Sequence, residues 1–461
     1  MATEIRNVHD TVGIESPYWN IFEPPIENNS TESYEYEEYR EINVEVKALK
    51  KYKIPIKDLN VWIHPHNSYL HLKGRVLKAD GSNLDATEKV TLTNNGFNLF
   101  STAKYKIGDK EIESIDYVGI GTTVLNLVDF SDDYAKSAAS NMFWYRDTAD
   151  SADTNRFIYD SADKASKLKE SDTKLEDLVK HIKGNHNFNE GFLRRWIIAK
   201  QSAKISMFLP LKRLFGFCRD INKVFKGLPH EIELERNLDD NIIHKSAATG
   251  AYKFEISHLS WFVPVVTPSV MTLAKLEAYL ATGATSSLFW ESYNVYRTDI
   301  RNDKNAQLRI TNTQHKPSHI YVVFQKAKRT ENQSETNMVF DAMNLLKIQI
   351  KVGNKKVPDE PYSCDEDISR VYTSFLSAGM KDIESDTGTQ VNYVEFLRLY
   401  PIFHFDLTAI ESSIFDNSIT PEILVNYTLE GIPENYYVFC IVVNERKATI
   451  QAVDQKIYVI L

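Results

Sequence analysis

Apolar and polar residues alternate with a period of two along most of this chain, and that period places successive side chains on opposite faces of a β-strand. The pattern opens with INVEVKALKKYKIPI (42–56) and continues in YLHLKGRVLKADGSN (69–83), which ends in an Asp-Gly turn, and in KVTLTNNGFNLF (89–100). After a mixed, partly helical stretch (helix expected near 133–142), strands are predicted again in RRWIIAK (194–200), AKISMFLPLKRLFGF (203–217), HEIELERN (230–237) and YKFEISHLSWFVPVV (252–266). One helical pattern, VMTLAKLEAYLA (270–281), precedes a second series. That series holds SYNVYRTDI, AQLRITNT, SHIYVVFQKAK, LLKIQIKVG, YVEFLRLYPIFHFDL, PEILVNYTLEG, NYYVFCIVV and QKIYVIL, all predicted as strands. Short strands at close spacing with turn signals between them predict sandwiches or barrels rather than βαβ units.

Two short stretches repeat. YKIGDKEI (105–112) and IKVGNKKV (350–357) share an apolar–Lys–apolar–Gly–Asp/Asn–Lys pattern at an offset of 245 (350 − 105). Gly108-Asp109 and Gly353-Asn354 supply the positive-φ residues that a tight hairpin demands. Other pairs follow in the same order: Ser68 with Ser318 at 250, Leu209 with Leu399 at 190, and Pro229 with Pro421 at 192. The offset falls by 55 (245 − 190) at one place, and residues 147–190 lie there. That run is polar and rich in Ser, Asp and Lys, which marks it independently as an exposed insertion. The chain therefore reads as a tandem pair of β-domains, at 40–268 (enlarged by the insertion) and 269–461, behind an acidic arm at 1–39.

Composition adds detail. The 461 residues include 24 Tyr and 23 Phe against 17 Gly, which suits half-buried pleated surfaces. Net charge is −9, so a dedicated nucleic-acid coat is disfavoured. Charge is uneven: residues 1–41 carry ten acidic and two basic side chains, and residues 193–226 carry nine basic and one acidic. Either both are solvated faces, or they meet within a chain or between copies. The arm includes Tyr18, Trp19 and Phe22, large apolar groups that mark a docking segment on an otherwise polar tail. Three scattered cysteines, Cys218, Cys364 and Cys440, form no framework and point to a reducing compartment. Neither a signal peptide nor a membrane span is expected.

Catalytic signatures are missing. There is no phosphate-cradling Gly loop, GxSxG elbow or HExxH. His64-Pro65-His66 is the best metal-like pair, but the Glu that a cupin site needs is replaced by Leu70 and His71, so a surface pair is preferred. No catalytic, metal or cofactor residue is assigned. A cupin-like metalloenzyme is the weakest reading. A non-enzymatic binding module, carbohydrate-binding or host-domesticated from a capsid protein, is the alternative, with Trp62, Trp196 and Trp261 expected in the core.

Four segments carry a resemblance: VTLTNNGFNLFSTAKYKIGDKEIE, LPLKRLFGFCRDINKVFKGLPHEIELERN, KFEISHLSWFVPVVTPS and LRLYPIFHFDL. Together they resemble the double jelly-roll major capsid proteins of polintons (Mavericks), adintoviruses and virophages, from about residue 40 to the end. The resemblance implies an all-β fold of two tandem eight-stranded jelly rolls with short helices in the connections. It also implies a homotrimer of pseudo-hexameric outline whose neighbouring capsomers tile an icosahedral shell, with a separate penton protein at the vertices. Double-stranded DNA would lie inside, contacted only indirectly. The place implied is the virion, assembled in host cytoplasm or nucleus, with 147–190 as an outward tower and 1–39 as an inner arm.

Overall fold

The computed structural model describes residues 30–41, 50–85, 87–154, 188–201, 204–246, 250–282, 285–301, 303–310, 316–379, 388–410, 423–430, 434–453 and 456–460. Among the described residues, eight strands build the two main sheets of the first half, beside a short antiparallel pair of Val90–Leu92 with Ile243–Lys245: β1 (Thr31–Arg40), β2 (Lys51–Ile56), β3 (Tyr69–Lys78), β4 (Phe100–Ile107), β5 (Lys110–Asp116), β6 (Ile205–Pro210), β7 (His230–Arg236) and β8 (Tyr252–Pro268). The eight form two antiparallel sheets, β1-β8-β3-β6 and β2-β7-β4-β5. The second half repeats this with β9 (Thr285–Ile300), β10 (Asn305–Ile310), β11 (Pro317–Lys326), β12 (Leu345–Val352), β13 (Lys355–Ser363), β14 (Phe403–Asp406), β15 (Ile423–Leu429) and β16 (Tyr436–Val453). Its sheets run β9-β16-β11-β14 and β10-β15-β12-β13, with β17 (Lys456–Ile460) added on β16. Adding eight to each of these eight strand numbers gives the two main sheets of the second half. Both are jelly rolls of one connectivity, and the all-β tandem fold expected from the sequence is the fold observed.

The register of the repeat can now be read from backbone hydrogen bonds. Leu211 N–H donates to the Ser68 carbonyl (3.0 Å), and Leu407 N–H donates to the Ser318 carbonyl (2.8 Å). The Ser68–Ser318 pairing is therefore right, and both serines are buried. The β4–β5 and β12–β13 hairpins also correspond at 245: Ile107 pairs with Lys110, and Val352 with Lys355. Gly108 (φ 60°) and Gly353 (φ 58°) both sit left-handed in the turns, with Asp109 and Asn354 beside them.

Two later pairings slip. Leu209 faces Leu70 and Phe405 faces Ile320, so the β6–β14 offset is 196 (405 − 209) rather than 190. Tyr105 faces Ile232 and Ile350 faces Val425, so β7–β15 is 193 rather than 192. One residue matters here, because it moves every side chain to the opposite face.

Three segments predicted as strands contain helices. RRWIIAK lies in α3 (Glu190–Gln201), which follows α1 (Val118–Asp129) and α2 (Asp132–Lys136). Phe192 and Arg195 are fully buried on it, three residues apart, a helical spacing hidden inside a short apolar run. The predicted strand 203–217 ends in α4 (Gly216–Asp220), which carries Cys218, and α5 (Val270–Ala281) links the halves as expected. After α6 (Ile368–Ser377), YVEFLR forms α7 (Tyr393–Arg398). A capping box starts α7: Asn392 accepts from Glu395 N–H at 3.0 Å, and the Glu395 carboxylate accepts from Asn392 N–H.

The arm is also revised. Residues 31–39 belong to β1, paired with β8 from Thr31 opposite Pro268 to Arg40 opposite Ser260. Alternating Tyr and Glu at 34–37, followed by Glu38, make a strand whose acids sit at a solvent-facing sheet edge, a common protection for edges. Only the ends of the 147–190 segment fall among the described residues; there Asp147 and Asn189 are fully buried, whereas Asp150 and Glu190 are exposed.

Candidate assembly surface

The residues named from sequence distribute as follows. Tyr18, Trp19 and Phe22 lie outside the described residues. The hairpin residues Gly108, Asp109, Gly353 and Asn354 occupy matching turns at the same position of each jelly roll, well apart in the chain and with open space around both glycines. His64 is occupied on both ring nitrogens, by the Tyr34 hydroxyl (2.9 Å) and Asn222 Oδ1 (2.7 Å). Trp261 is fully buried, whereas Lys200 and Lys89 lie over the half-buried Trp196 ring and Lys226 over that of Trp62. The arginines of the basic segment find partners within the chain: Arg194 pairs with Glu190, Arg195 with Asp147, Arg213 with Asp129, and Arg219 with Asp220 and Glu291.

What the sequence did not show is the seam between the jelly rolls. The outer face of the β9-β16-β11-β14 sheet presents Tyr293, Val295, Tyr321, Ile441 and Val443, all at most 6% exposed. The first jelly roll covers it with β5, α1 and α4. Glycines allow the approach: a Cβ on Gly216 would lie 1.6 Å from the Glu291 carbonyl oxygen, and one on Gly121 would lie 2.7 Å from the Tyr293 ring. Polar links fix the register. Glu291 N–H donates to Asp220 (2.9 Å), Arg219 donates to the Glu291 carbonyl (3.2 Å), and Asn294 donates to the Ser114 carbonyl (3.2 Å).

Glu113 lies at this seam, fully buried, accepting from the N–H groups of Gly216 (3.1 Å) and Phe217. Burial outweighs those bonds and the nearby Arg446 and Arg219, pushing its pKa up to about 7. The folded state then holds the proton more tightly than the unfolded chain. This contribution is full below the ordinary carboxylate pKa and is lost as pH rises through about 7. Raising pH from 5 to 8 should lower the urea midpoint of the wild-type protein more than that of Glu113→Gln; equal drops would show that Glu113 does not titrate there.

A second buried cluster ties the base of the 147–190 segment to both halves. Arg195 and Asp147, each with a fully buried side chain, pair at 2.6 Å. Asn189 also donates to Asp147 (2.8 Å), and Tyr400, from the second half, donates to the Asp147 carbonyl (2.8 Å). Arg329 adds a further cross-link, to Asp150 and to Asp341 (2.8 Å). Among the described residues no group of His, Cys, Asp and Glu is arranged to hold a metal, and no helix is long and apolar enough to cross a membrane.

Among the described residues, no element covers the equivalent outer face in the first half, on β1-β8-β3-β6. Tyr36, Tyr69, His71, Phe208, His258 and Phe262 form a half-exposed aromatic field, with His71 stacked on Phe208 (4.4 Å between ring centres) and Tyr69 on Phe262 (5.4 Å). A groove of about 530 Å³ runs along one side, between Tyr36, Tyr69 and Phe208 and the Tyr134–Met142 region.

A family model described as "Double jelly roll-like domain" matches residues 188–448, more than half of the chain. This chain belongs to the double jelly roll-like family. Among solved structures, this double jelly roll is similar to one titled as the Sputnik virophage by cryo-EM, with a TM-score of 0.56 at 10% identity over 97% of this chain and 92% of that one. It is also similar to the Faustovirus major capsid protein (TM-score 0.53, 10% identity, 97% and 98% covered). A third likeness is to the PBCV-1 virus capsid (0.52, 10%, 95% and 98%). At such identities these likenesses establish the fold, and they extend along nearly the whole of each chain. No curated protein matches.

Proposed function

We propose that this protein is a major capsid protein whose three copies close into a pseudo-hexameric capsomer, and that capsomers tile an icosahedral shell around double-stranded DNA. One observation carries the reading: eight strands are repeated in identical connectivity within one chain. A doubled domain lets three chains fill six similar positions around an axis, which serves a lattice and has no evident use in catalysis. The end-to-end likeness to virophage and virus capsid structures supports the same role. The protein acts as a non-enzymatic building block of the virion, with a separate penton protein at the vertices. The 147–190 segment forms an outward tower, and residues 1–29, with Tyr18, Trp19 and Phe22, grip neighbouring capsomers.

Light scattering on purified protein should give about three times 53.0 kDa, and negative-stain images should show regular particles or triangular-to-hexagonal capsomers. Removing residues 1–29, which spares β1, should keep the trimer and abolish regular particles. A clean monomer at high concentration would overturn the capsid reading, and regular particles from the truncated chain would remove the role of the arm.

A further inference from the structure

We infer that the apolar outward stripe of α5, the helix joining the two jelly rolls, is the seat of the aromatic segment Tyr18–Phe22 of this chain's own N-terminal arm. The grip on neighbouring capsomers proposed above is then this contact exchanged between copies, a consequence that rests on the capsid reading; the seat itself does not.

A solvated linker helix turns polar side chains outward, and α5 does the reverse. At about 100° per residue, Val270, Met271, Ala274, Ala278 and Ala281 fall on one continuous stripe. All five are exposed, Val270 at 76% and Met271 at 73%, while Thr272, Leu273 and Leu276 make up the half-buried side. The two charges, Lys275 and Glu277, stand at the two edges of the stripe, and Tyr279 is exposed beyond Lys275. Among the described residues no side chain of α5 is fully buried. A helix of 12 residues draws its stability from packing rather than from propensity, so a stripe of this composition calls for a cover. Three alanines along it leave room for large rings to approach.

The occupant follows from where the described chain starts. Ser269 N–H, at the entry to α5, donates to the Ser30 carbonyl (3.0 Å), and the Ser269 carbonyl accepts from Leu273 N–H (2.8 Å). Residues 1–29 therefore join the fold at the foot of α5. Tyr18, Trp19, Ile21 and Phe22 lie within five positions, and Phe22 is eight positions before Ser30 (30 − 22). Eight residues reach at most about 26 Å, and a 12-residue helix is about 18 Å long, so the whole stripe lies within range of Phe22. So short a connection, stiffened by Pro24-Pro25, closes at small entropic cost and holds the rings at high local concentration. An arm that passes to the α5 of an adjacent copy makes the same contact and needs no new surface.

The experiment compares the full chain, the chain lacking residues 1–29, and Trp19→Ser/Phe22→Asp, with circular dichroism as the check on folding. Amide hydrogen exchange is read at α5, with β3 as the internal reference. In the full chain the α5 amides beyond Leu273 should be protected, and either change should speed their exchange at least about tenfold while β3 stays as it was. Phe22→Cys/Met271→Cys supplies a second reading, since Cys218 and Cys440 are buried and Cys364 half-buried. Mild oxidation should cross-link this variant within one chain before assembly and between chains in particles. Free exchange of α5 in the full chain, equal exchange in all three proteins, or cross-links between chains before assembly would overturn the seat. A within-chain cross-link that persists in particles removes the exchange between copies and leaves the seat. Failure to form particles at all counts against the capsid reading alone, because the seat is read on unassembled protein. If the truncated chain does not fold, Trp19→Ser/Phe22→Asp and the cross-link decide.

Discussion

Gly216→Val should be among the most damaging single substitutions in this protein. The site has backbone, not a pliable side chain, in the way: even the first side-chain carbon would lie 1.6 Å from the Glu291 carbonyl oxygen and 3.3 Å from the Ser292 Cα. Relief requires moving α4 off β9, and α4 carries the Phe217 ring packed on Trp290 and the Arg219–Glu291 link. Overpacking inside well-filled cores costs about 1–3 kcal/mol when side chains can yield, and backbone that cannot yield puts this site at or beyond the upper end. The expected result is a urea midpoint well below wild type, with early exposure of the seam tryptophan Trp290. Gly108→Ala, in an open turn with φ 60°, should cost far less, since only local backbone strain is involved. Equal effects of the two changes would show that the jelly rolls do not lean on one another at Gly216.

Asp147→Ala should be as severe for an electrostatic reason. It leaves the Arg195 guanidinium fully buried with its charge uncompensated, and it strips an acceptor from Asn189. Breaking one side of a buried ion pair costs about 3–5 kcal/mol, whereas replacing both partners by apolar groups of similar volume is often nearly neutral. Asp147→Leu/Arg195→Met should therefore recover most of the stability that Asp147→Ala loses in denaturant titrations. If the double variant is no better than the single one, the hydrogen bonds of Arg195 to the Leu92 and Tyr145 carbonyls matter more than the pair itself. Because Tyr400 of the second half donates to the Asp147 carbonyl, the loss should appear as loosening of both halves together.

Local chemistry explains which parts of the fold could be read early. The hairpin turns were legible because a tight turn needs a positive-φ residue at a fixed place, and Gly108 and Gly353 declare it within two residues. Ser68 and Ser318 were legible as a pair because both open a strand after a break in the pattern. The β6–β14 pairing slipped by six residues because both strands are short and run directly into turns, a 3₁₀ turn at Leu211–Arg213 after β6 and a turn at 407–410 after β14, which leaves few alternating positions to set a register. Helices α3 and α7 were missed for a related reason: their apolar residues fall in short runs that satisfy either period, and only burial of Phe192 with Arg195 and the capping at Asn392 separates the two.

The candidate surface was less visible. Tyr36, Tyr69, Phe208 and Phe262 lie on four different strands, 226 positions from first to last (262 − 36), and each is an ordinary strand residue in its own segment. Arg195 looked like part of a basic stretch, and Asp147 like the start of a polar insertion.

By itself the sequence determined the doubling, the strand-rich character and the turn positions, since these depend on periodicity and on backbone preferences of single residues. Only the tertiary structure decided which sheet face is covered and which is left open, that Glu113 and Asp147 are interior, and that the Tyr-Glu segment is an edge strand. Those outcomes depend on how one jelly roll lies against the other. That arrangement is set by complementary shape and by hydrogen bonds between residues far apart in the chain, for which a linear pattern has no period to display.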